Sequence, residues 1–236
     1  DVTATLEHGK SYGVVGPTGA GKTTFIDLLL GLLHPYKGQI RIDGTALSAN
    51  NVREWQNYIG YVPQNPMILD DTLLANVAFG VHAKHVEEKK AVRCLKMANL
   101  GDVLKRVSLQ GQLGEQGDRL SGRQRQRVSF ARARYSEPAL LVLDEATSAL
   151  DAVSERAVQK ALENLRGKVT TVTVAHRLST IETCDEIFVF EKARIVARGS
   201  YTELLGSSPL FARLAAAGVD ETTGDVQQEK EQGVSA

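Results

Sequence analysis

Residues 11–24 read SYGVVGPTGAGKTT, and this stretch decides the fold of the chain. Its first five residues form a run typical of a short buried strand. Apolar side chains at positions 25, 28, 29 and 32 recur at helical spacing and predict a helix over residues 23–33. The glycine-rich turn between them lets the backbone curl until successive N–H groups point inward, an arrangement that holds anionic phosphate oxygens. The sequence therefore predicts a phosphate-binding loop between a strand and a helix.

The loop also matches the pattern G-x-x-x-x-G-K-[ST], which binds nucleotide phosphates when a strand precedes it and a helix follows it. Lys22 is predicted to bring a mobile positive charge to the β- and γ-phosphates, and the Thr23 hydroxyl to ligate Mg²⁺. The start of the helix adds positive potential. A chance glycine-rich turn is the alternative, and the flanking strand and helix argue against it. The residues predicted to bind nucleotide here are Gly16, Pro17, Thr18, Gly19, Ala20, Gly21, Lys22, Thr23 and Thr24.

A second stretch, LLVLDE at residues 140–145, places two acids directly after four apolar residues. The apolar residues predict a buried strand, and open α/β sheets bind ligands at the carboxyl ends of their strands. Asp144 is predicted to hold Mg²⁺, directly or through water, and Glu145 to orient or deprotonate the attacking water. The alternative is a strand that ends in a solvated acidic turn. The presence of the phosphate loop in the same chain favours the nucleotide site.

The rest of the chain alternates between strand and helix patterns, which predicts an α/β fold with a parallel sheet flanked by helices on both faces. Residues 66–135 offer helices without a convincing strand, so we expect a helical subdomain inserted into the core. Residues 218–236 are too polar to pack and are expected to form a disordered tail. Further strands are expected at residues 39–42, 59–62, 139–143, 170–174 and 186–190, and further helices at residues 87–99, 122–135 and 153–165.

Composition excludes some classes of function. Lys plus Arg and Asp plus Glu each number 28, so the net charge is zero and argues against binding of nucleic acid or membrane surfaces through bulk charge. No apolar run reaches the about 18 to 20 residues that a membrane helix needs. Arginines at positions 123, 125, 127, 132 and 134 form a basic helix. With zero net charge and few aromatic residues, this run favours a solvated or paired helix face beside nucleotide over a nucleic-acid site.

The stretch LSGRQRQR at residues 120–127 resembles the LSGGQ-type signature of ATP-binding cassette (ABC) ATPases. Gln64 in YVPQNP is similar to the family's Q-loop glutamine, and His176 in AHRLST to its switch histidine. The segment SALD at residues 148–151 resembles the D-loop. Because these motifs follow the phosphate loop in the family's order, residues 1–217 are identified as a member of this family, with a P-loop NTPase core.

The resemblance implies a mechanism. Cassettes of this family pair head to tail, so that each ATP lies between the phosphate loop of one copy and the signature of the other. It implies that Gln64 reaches Mg²⁺ and the water, and that His176 contacts the γ-phosphate. It also implies that the helical subdomain carries the signature, whose N-terminal end favours an anion. The residues implied to contact nucleotide from this part of the family pattern are Ser121, Gly122, Gln124 and Asp151.

Two further segments are similar to exporter-type members of the family. QLGEQG at residues 112–117 is similar to their T-x-V-G-E-x-G element, and residues 68–80 resemble the segment that docks on membrane-domain coupling helices. An ordinary amphipathic loop and helix is the alternative for residues 68–80. The resemblance implies membrane domains fused upstream of Asp1 and a position on the cytoplasmic face of a membrane. A soluble ABC ATPase acting on ribosomes or DNA, and a catalytically weak regulatory cassette, stay open as alternatives.

The sequence departs from the family pattern at two places. Arg123 stands where the signature has its second glycine, which puts in doubt the ATP site to which this chain lends its signature. Two alternatives are open: the long side chain obstructs closure, or its guanidinium contacts the phosphate. We expect a partner cassette of different sequence with an intact signature. The aromatic residue that stacks on adenine in the family lies upstream of the phosphate loop. Because Tyr12 belongs to the incoming strand, we expect that aromatic to precede Asp1 and the chain to be truncated there.

Overall fold

The computed structural model of the chain describes residues 2–146, 152–175 and 178–220. Its eight strands in this described part are β1 Ser11–Val15, β2 Arg41–Ile42, β3 Thr45–Ala46, β4 Ile59–Val62, β5 Leu140–Asp144, β6 Thr170–Val174, β7 Glu186–Glu191 and β8 Arg194–Gly199. The helices are α1 Lys22–Leu29, α2 Val52–Asn57, α3 Leu73–Val77, α4 Glu88–Met97, α5 Gly101–Val107, α6 Gly122–Tyr135, α7 Ala152–Glu163, α8 Tyr201–Ser207 and α9 Pro209–Asp220.

Six strands form one sheet in the order β4-β5-β6-β1-β7-β8, and β2 and β3 form a separate hairpin. The first five strands of that order are parallel, as the alternating sequence pattern predicts. Their carboxyl ends therefore meet at one edge of the sheet. The segments that follow β1, β4 and β5 begin at this edge, and these are the segments that carry the predicted site residues.

Helices and apolar side chains cover both faces of the sheet. On β7, Phe188 and Phe190 pack into a cluster with Ile26 of α1, whereas the alternate residues Ile187 and Val189 pack on the opposite face. Because successive strand residues point to opposite faces, a strand such as β7, whose four central residues are all apolar, is stable only between two layers. The structure confirms the predicted α/β fold with its parallel sheet flanked by helices.

Between β4 and β5 the chain forms α3, α4, α5 and α6 and adds no strand to the sheet. Within this described segment, β-type pairing is limited to one isolated antiparallel bridge between Thr72 and Gln112. Its interior consists of fully buried apolar side chains: Leu73, Val77, Leu95, Leu100, Val103 and Leu113. These side chains form one apolar cluster with Val62 of β4 and with Leu141 and Leu143 of β5, so the helical insertion packs against one face of the sheet. α6, which follows the signature serine, runs back to β5.

The structure corrects the predicted length of the first helix. α1 ends at Leu29 and not at residue 33, because Gly31 adopts a left-handed conformation with φ +68°. The Leu32 N–H then donates to the Asp27 carbonyl at 2.8 Å, and the Gly31 N–H to the Leu28 carbonyl at 3.1 Å, the two bonds of a Schellman motif. Leu32 is 62% exposed, so its assignment to the buried face of a longer helix was wrong.

Other boundaries differ from the sequence pattern. β8 pairs antiparallel with β7 and was not predicted. The strand expected at residues 39–42 is reduced to Arg41–Ile42, which pairs with β3 across the Asp43-Gly44 turn. α9 extends to Asp220 and so includes the first three residues of the predicted tail. In the described part of the chain, no helix has the length and apolar character needed to cross a membrane.

Candidate nucleotide-binding site

The phosphate loop joins β1 to α1 through three glycines with positive φ. The angles are +151° at Gly16, +76° at Gly19 and +97° at Gly21. A Cβ atom at Gly16 would lie 2.3 Å from the Phe190 carbonyl oxygen, so any larger residue would push the loop off β7. A Cβ atom at Gly19 would meet nothing within 4 Å, so the loop is open on that side. The backbone therefore forms a curled, accessible loop at the carboxyl edge of the sheet.

Lys22 closes this loop from within. Its Nζ donates to the carbonyl oxygens of Gly16 at 2.6 Å and Pro17 at 3.1 Å, and the residue is only 9% exposed. Burial lowers the pKa of the Lys22 ammonium, and the nearby carboxylates of Glu145 and Asp144 act in the opposite direction. An ammonium group has three N–H donors, and two of them hold the loop. One donor remains for a ligand bound in the loop.

Asp144 ends β5 at the same edge. The Tyr61 hydroxyl, on the neighbouring strand β4, donates to Asp144 Oδ2 at 3.2 Å. Burial raises the pKa of Asp144, while the hydrogen bond from Tyr61 and the charge of Lys22 lower it. Burial, with help from the Asp144 charge, raises the pKa of Tyr61 to about 12. At neutral pH the Tyr61 hydroxyl is therefore protonated and acts as the donor.

Glu145 follows in a left-handed backbone conformation with φ +50°, and its N–H donates to the Val174 carbonyl at 3.1 Å. This turn brings the Glu145 side chain back to Gln64, whose amide donates to Oε2 of that carboxylate. Gln64 lies two residues beyond β4, so the hydrogen bond spans two neighbouring strands. The structure thus brings together two residues that the sequence analysis selected separately.

The candidate metal ligands at this edge are all oxygen atoms. They belong to the Thr23 hydroxyl, the Asp144 and Glu145 carboxylates and the Gln64 amide. Oxygen ligands are those that Mg²⁺ prefers, and it usually takes one or two from the protein and the rest from water and substrate phosphates. In the described residues no group of three or more His, Cys, Asp and Glu forms a metal cage. The site therefore fits a magnesium ion that is shared with a phosphate ligand.

The signature residues lie at the start of α6. Ser121 is its N-cap: Oγ accepts from the Gln124 N–H at 3.2 Å, and the Gln124 side chain accepts from the Ser121 N–H at 3.0 Å. The Gln124 oxygen also accepts from Arg106 at 3.3 Å. These bonds form a capping box that fixes the first turn of the helix. Gly122 and Arg123 are exposed beside it.

Two predicted site residues, Asp151 and His176, lie outside the described residues, as does the D-loop segment 148–151. Their assignments stay predictions from the sequence.

Comparison with known proteins decides the family. Residues 1–148 match the profile of the ABC transporter family, which is more than half of the chain. The chain belongs to the ABC transporter family. This confirms the family that the signature, Q-loop and phosphate-loop residues indicate, and membership implies that the chain binds ATP.

Named relatives of this ABC transporter chain include a flippase and a further ABC transporter. An "ATP-dependent lipid A-core flippase" of Burkholderia pseudomallei is 44% identical over 216 residues, which cover 91% of this chain and 36% of that protein. "ABC transporter B family member 17" of Arabidopsis thaliana is 39% identical over 219 residues, or 92% of this chain and 18% of that protein. The chain thus spans about a third of the length of the flippase it matches.

A solved structure gives the same result for the fold. The structure of a bacterial Atm1-family ABC exporter with ATP bound superposes with a TM-score of 0.84 at 33% sequence identity. The match covers 90% of this chain and 37% of that protein.

Sequence reasoning missed Tyr61, which contacts the predicted metal ligand Asp144. Its position on β4 was visible as part of the strand 59–62, but the contact depends on which strand lies beside β4. The pairing of β4 with β5 joins segments about eighty residues apart, and no local pattern reports it.

Three arginines of α6 donate hydrogen bonds to the chain's own backbone. Arg125 donates to the Leu120 carbonyl at 3.1 Å and Arg127 to the Asn99 carbonyl at 2.8 Å. Arg132 donates to the carbonyls of Asn76 at 2.8 Å and Met67 at 2.9 Å, and to the Asn76 side chain at 3.0 Å. Three arginines of the basic run therefore serve as hydrogen-bond donors within the chain.

We expect Arg132→Ala to lower the free energy of unfolding by about 2–3 kcal/mol, because its half-buried guanidinium satisfies three acceptors and lies 5.1 Å from the Phe79 ring. Urea denaturation of the purified protein measures the change. The matched control is Arg198→Ala, whose side chain is 64% exposed and makes one 4.0 Å ion pair, so the expected loss is below about 0.5 kcal/mol. Equal losses in the two variants would contradict the role given to Arg132.

Proposed function

We propose that this chain is the ATP-binding and ATP-hydrolysing motor domain of an ABC exporter. The observation that carries the proposal is the convergence of the phosphate loop, the Asp144-Glu145 strand end and Gln64 at one edge of the parallel sheet. The exporter and flippase names of its relatives support coupling to transport. The domain comprises residues 1–217, with residues 66–135 as the helical subdomain.

Residues 16–24 bind the triphosphate of ATP. The curled loop and the start of α1 offer backbone N–H groups to phosphate oxygens, since the first N–H groups of a helix have no partner within it. Lys22 donates its remaining N–H to the same phosphates. Because its other two donors hold Gly16 and Pro17, the ammonium is already oriented before ATP arrives. Binding then costs little side-chain entropy.

Thr23, Asp144 and Gln64 hold Mg²⁺ in this proposal. When bound, the metal supplies neutralising charge at the β- and γ-phosphates. Asp144 suits the role because burial and the neighbouring carboxylate make a lone negative charge costly there, so a cation at this edge is stabilised. Thr23 is exposed in the first turn of α1, directly after Lys22.

Glu145 orients the attacking water and accepts its proton. A carboxylate oxygen takes one hydrogen of the water as the water oxygen bonds to the γ-phosphorus and the bond to the leaving ADP oxygen breaks. Gln64 holds this carboxylate through its amide. Because Gln64 precedes the predicted docking segment 68–80, a displacement of that segment can change the orientation of Glu145 and thereby link hydrolysis to the membrane domains.

The proposed partners are membrane domains of the same transporter and a second cassette in a head-to-tail dimer. Ser121, Gly122 and Gln124 contact the ATP bound to the partner, as Asp151 does, and His176 contacts the γ-phosphate.

Two large apolar side chains support docking of the membrane domains near residues 68–80: Met67 is 62% exposed and Phe79 is 52% exposed. The motor lies on the cytoplasmic face of the membrane.

A membrane-extraction experiment tests the exporter proposal without knowledge of the cargo. The natural full-length polypeptide is expected to stay in the membrane fraction after an alkaline wash, to require detergent for release, and to hydrolyse ATP only with Mg²⁺. Release by the alkaline wash with full ATPase activity would instead support a soluble ABC ATPase. Membrane retention without hydrolysis would support a regulatory cassette.

Arg123 allows a prediction about the assembled transporter. If this side chain obstructs the approach of the signature to the partner's ATP, Arg123→Gly should raise ATP occlusion at that site and increase turnover by about twofold, since a second site becomes active. Gel filtration with trapped nucleotide measures occlusion, and phosphate release measures turnover. Arg53→Gly is the control for loss of one exposed charge, because Arg53 is the second residue of α2 as Arg123 is of α6. Unchanged occlusion and turnover would remove the support for an asymmetric pair of sites.

A further inference from the structure

Tyr61 lies on β4 at the border of the nucleotide site. The register of the two parallel strands pairs Tyr61 with Val142, so Asp144, two residues further along β5, projects from the same face of the sheet. The Tyr61 hydroxyl reaches that carboxylate and donates to Oδ2 at 3.2 Å. Tyr61 is 36% exposed, so the residue is partly packed and partly open to solvent.

This contact restricts a side chain that otherwise rotates freely. The terminal torsion of an aspartate is broad, and a carboxylate at a strand end turns readily unless a donor holds one of its oxygens. The bond from Tyr61 to Oδ2 therefore fixes the direction in which the carboxylate presents its remaining lone pairs to a cation. Loss of a partner that orients a metal ligand in this way typically lowers metal affinity by about 10- to 100-fold.

We propose that Tyr61 is a positioning residue for Asp144 and that its hydroxyl sets the affinity of the nucleotide site for Mg²⁺. The inference rests on the proposed function, in which Asp144 holds the metal. It assigns no contact between Tyr61 and ATP, and Tyr61 acts through the Asp144 carboxylate alone. Its removal should therefore affect metal binding and leave metal-free nucleotide binding intact.

The test compares Tyr61→Phe with Tyr58→Phe in the natural full-length polypeptide. Both changes remove one hydroxyl from a tyrosine, and Tyr58, which is 53% exposed, lines a different groove with Trp55 and Ile42. Electron paramagnetic resonance of Mn²⁺ in the presence of a non-hydrolysable ATP analogue gives the metal affinity. Titration of the same analogue in EDTA gives metal-free nucleotide affinity, and the Mg²⁺ dependence of hydrolysis gives KM for the metal and kcat.

For Tyr61→Phe we expect the dissociation constant for Mn²⁺ and the KM for Mg²⁺ to rise about tenfold or more. The kcat at saturating Mg²⁺ and the affinity for nucleotide in EDTA should change less than about twofold, because Tyr61 touches neither the loop nor Glu145 in the proposal. Tyr58→Phe should leave all four quantities unchanged.

Two results would overturn the inference. Wild-type Mn²⁺ affinity in Tyr61→Phe would show that the hydroxyl does not position Asp144, while the proposed function would stand. An equal loss of metal-free nucleotide affinity would show a general structural role. If the unmodified protein binds no nucleotide in either condition, the proposed function itself fails and the inference fails with it.

Discussion

Glu145→Gln is expected to reduce the turnover number for ATP hydrolysis by about 10²- to 10⁴-fold, the range that loss of a general base produces. The substitution keeps the size and shape of the side chain, so the contact with Gln64 can persist with one amide donating to the other. It removes the group that accepts a proton from water. ATP affinity should stay within about twofold of wild type, because Lys22 and the loop carry the phosphate contacts.

Single-turnover phosphate release and equilibrium binding of ATP separate these two effects. Glu54→Gln is the matched control, since Glu54 is exposed in the first turn of α2, away from the sheet edge, and its loss should leave turnover unchanged. Undiminished turnover in Glu145→Gln would remove this residue from the mechanism and would favour water orientation by another group. A parallel loss of ATP affinity would indicate that the carboxylate supports the fold of the site instead of its chemistry.

The sheet could be predicted because its strands carry their own signals. The stretches at β1, β4, β5 and β7 are mostly apolar, and β6 consists of the β-branched residues Thr and Val. All five are short and separated by other patterns, so local sequence was sufficient to predict them. β8 carries no such signal: its residues alternate between half-buried and exposed, and the turn before it is Lys192-Ala193. That turn has φ +48° and +59°, values usually met by Asn-Gly or Asp-Gly.

The end of α1 shows a different limit. Leu32 continues the apolar spacing, and the pattern alone extends the helix through it. Gly31 was the available stop signal, because a glycine in the left-handed conformation ends many helices. The sequence therefore contains two competing signals, the apolar spacing through Leu32 and the glycine at position 31. In the folded chain the Schellman hydrogen bonds at Gly31 are more favourable than one more helical turn that contains Leu32.

The candidate site divides in the same way. The phosphate loop and the Asp144-Glu145 pair are contiguous in sequence, so their types and spacing point to their chemistry. The contacts of Tyr61 with Asp144 and of Gln64 with Glu145 join residues 83 and 81 positions apart. Such contacts depend on strand order, which only the folded chain supplies. The capping box of Ser121 and Gln124 is an intermediate case, since its S-x-x-Q spacing was present in the signature.

Lys22→Met is expected to weaken ATP binding by about 10- to 100-fold, which corresponds to loss of a charge-assisted hydrogen bond of about 1.5–3 kcal/mol. Methionine keeps the apolar stem that packs against the loop and removes the ammonium. Isothermal titration with ATP and Mg²⁺ measures the change in affinity. Lys168→Met is the control for loss of a positive charge, because Lys168 is exposed in the turn before β6.

Thermal unfolding distinguishes a binding defect from a folding defect in Lys22→Met. At an ATP concentration of about 100 times the wild-type dissociation constant, the ligand stabilises wild type by about 2.7 kcal/mol, and a variant that binds about 100-fold more weakly by only about 0.4 kcal/mol. Without ATP, the variant loses the bonds to Gly16 and Pro17 but also the cost of a buried charge, so its unfolding free energy should differ from wild type by less than about 1.5 kcal/mol. A large loss of stability without ATP would mean that Lys22 mainly closes the loop. An ATP-induced stabilisation equal to that of wild type would mean that the ammonium does not contact the phosphates.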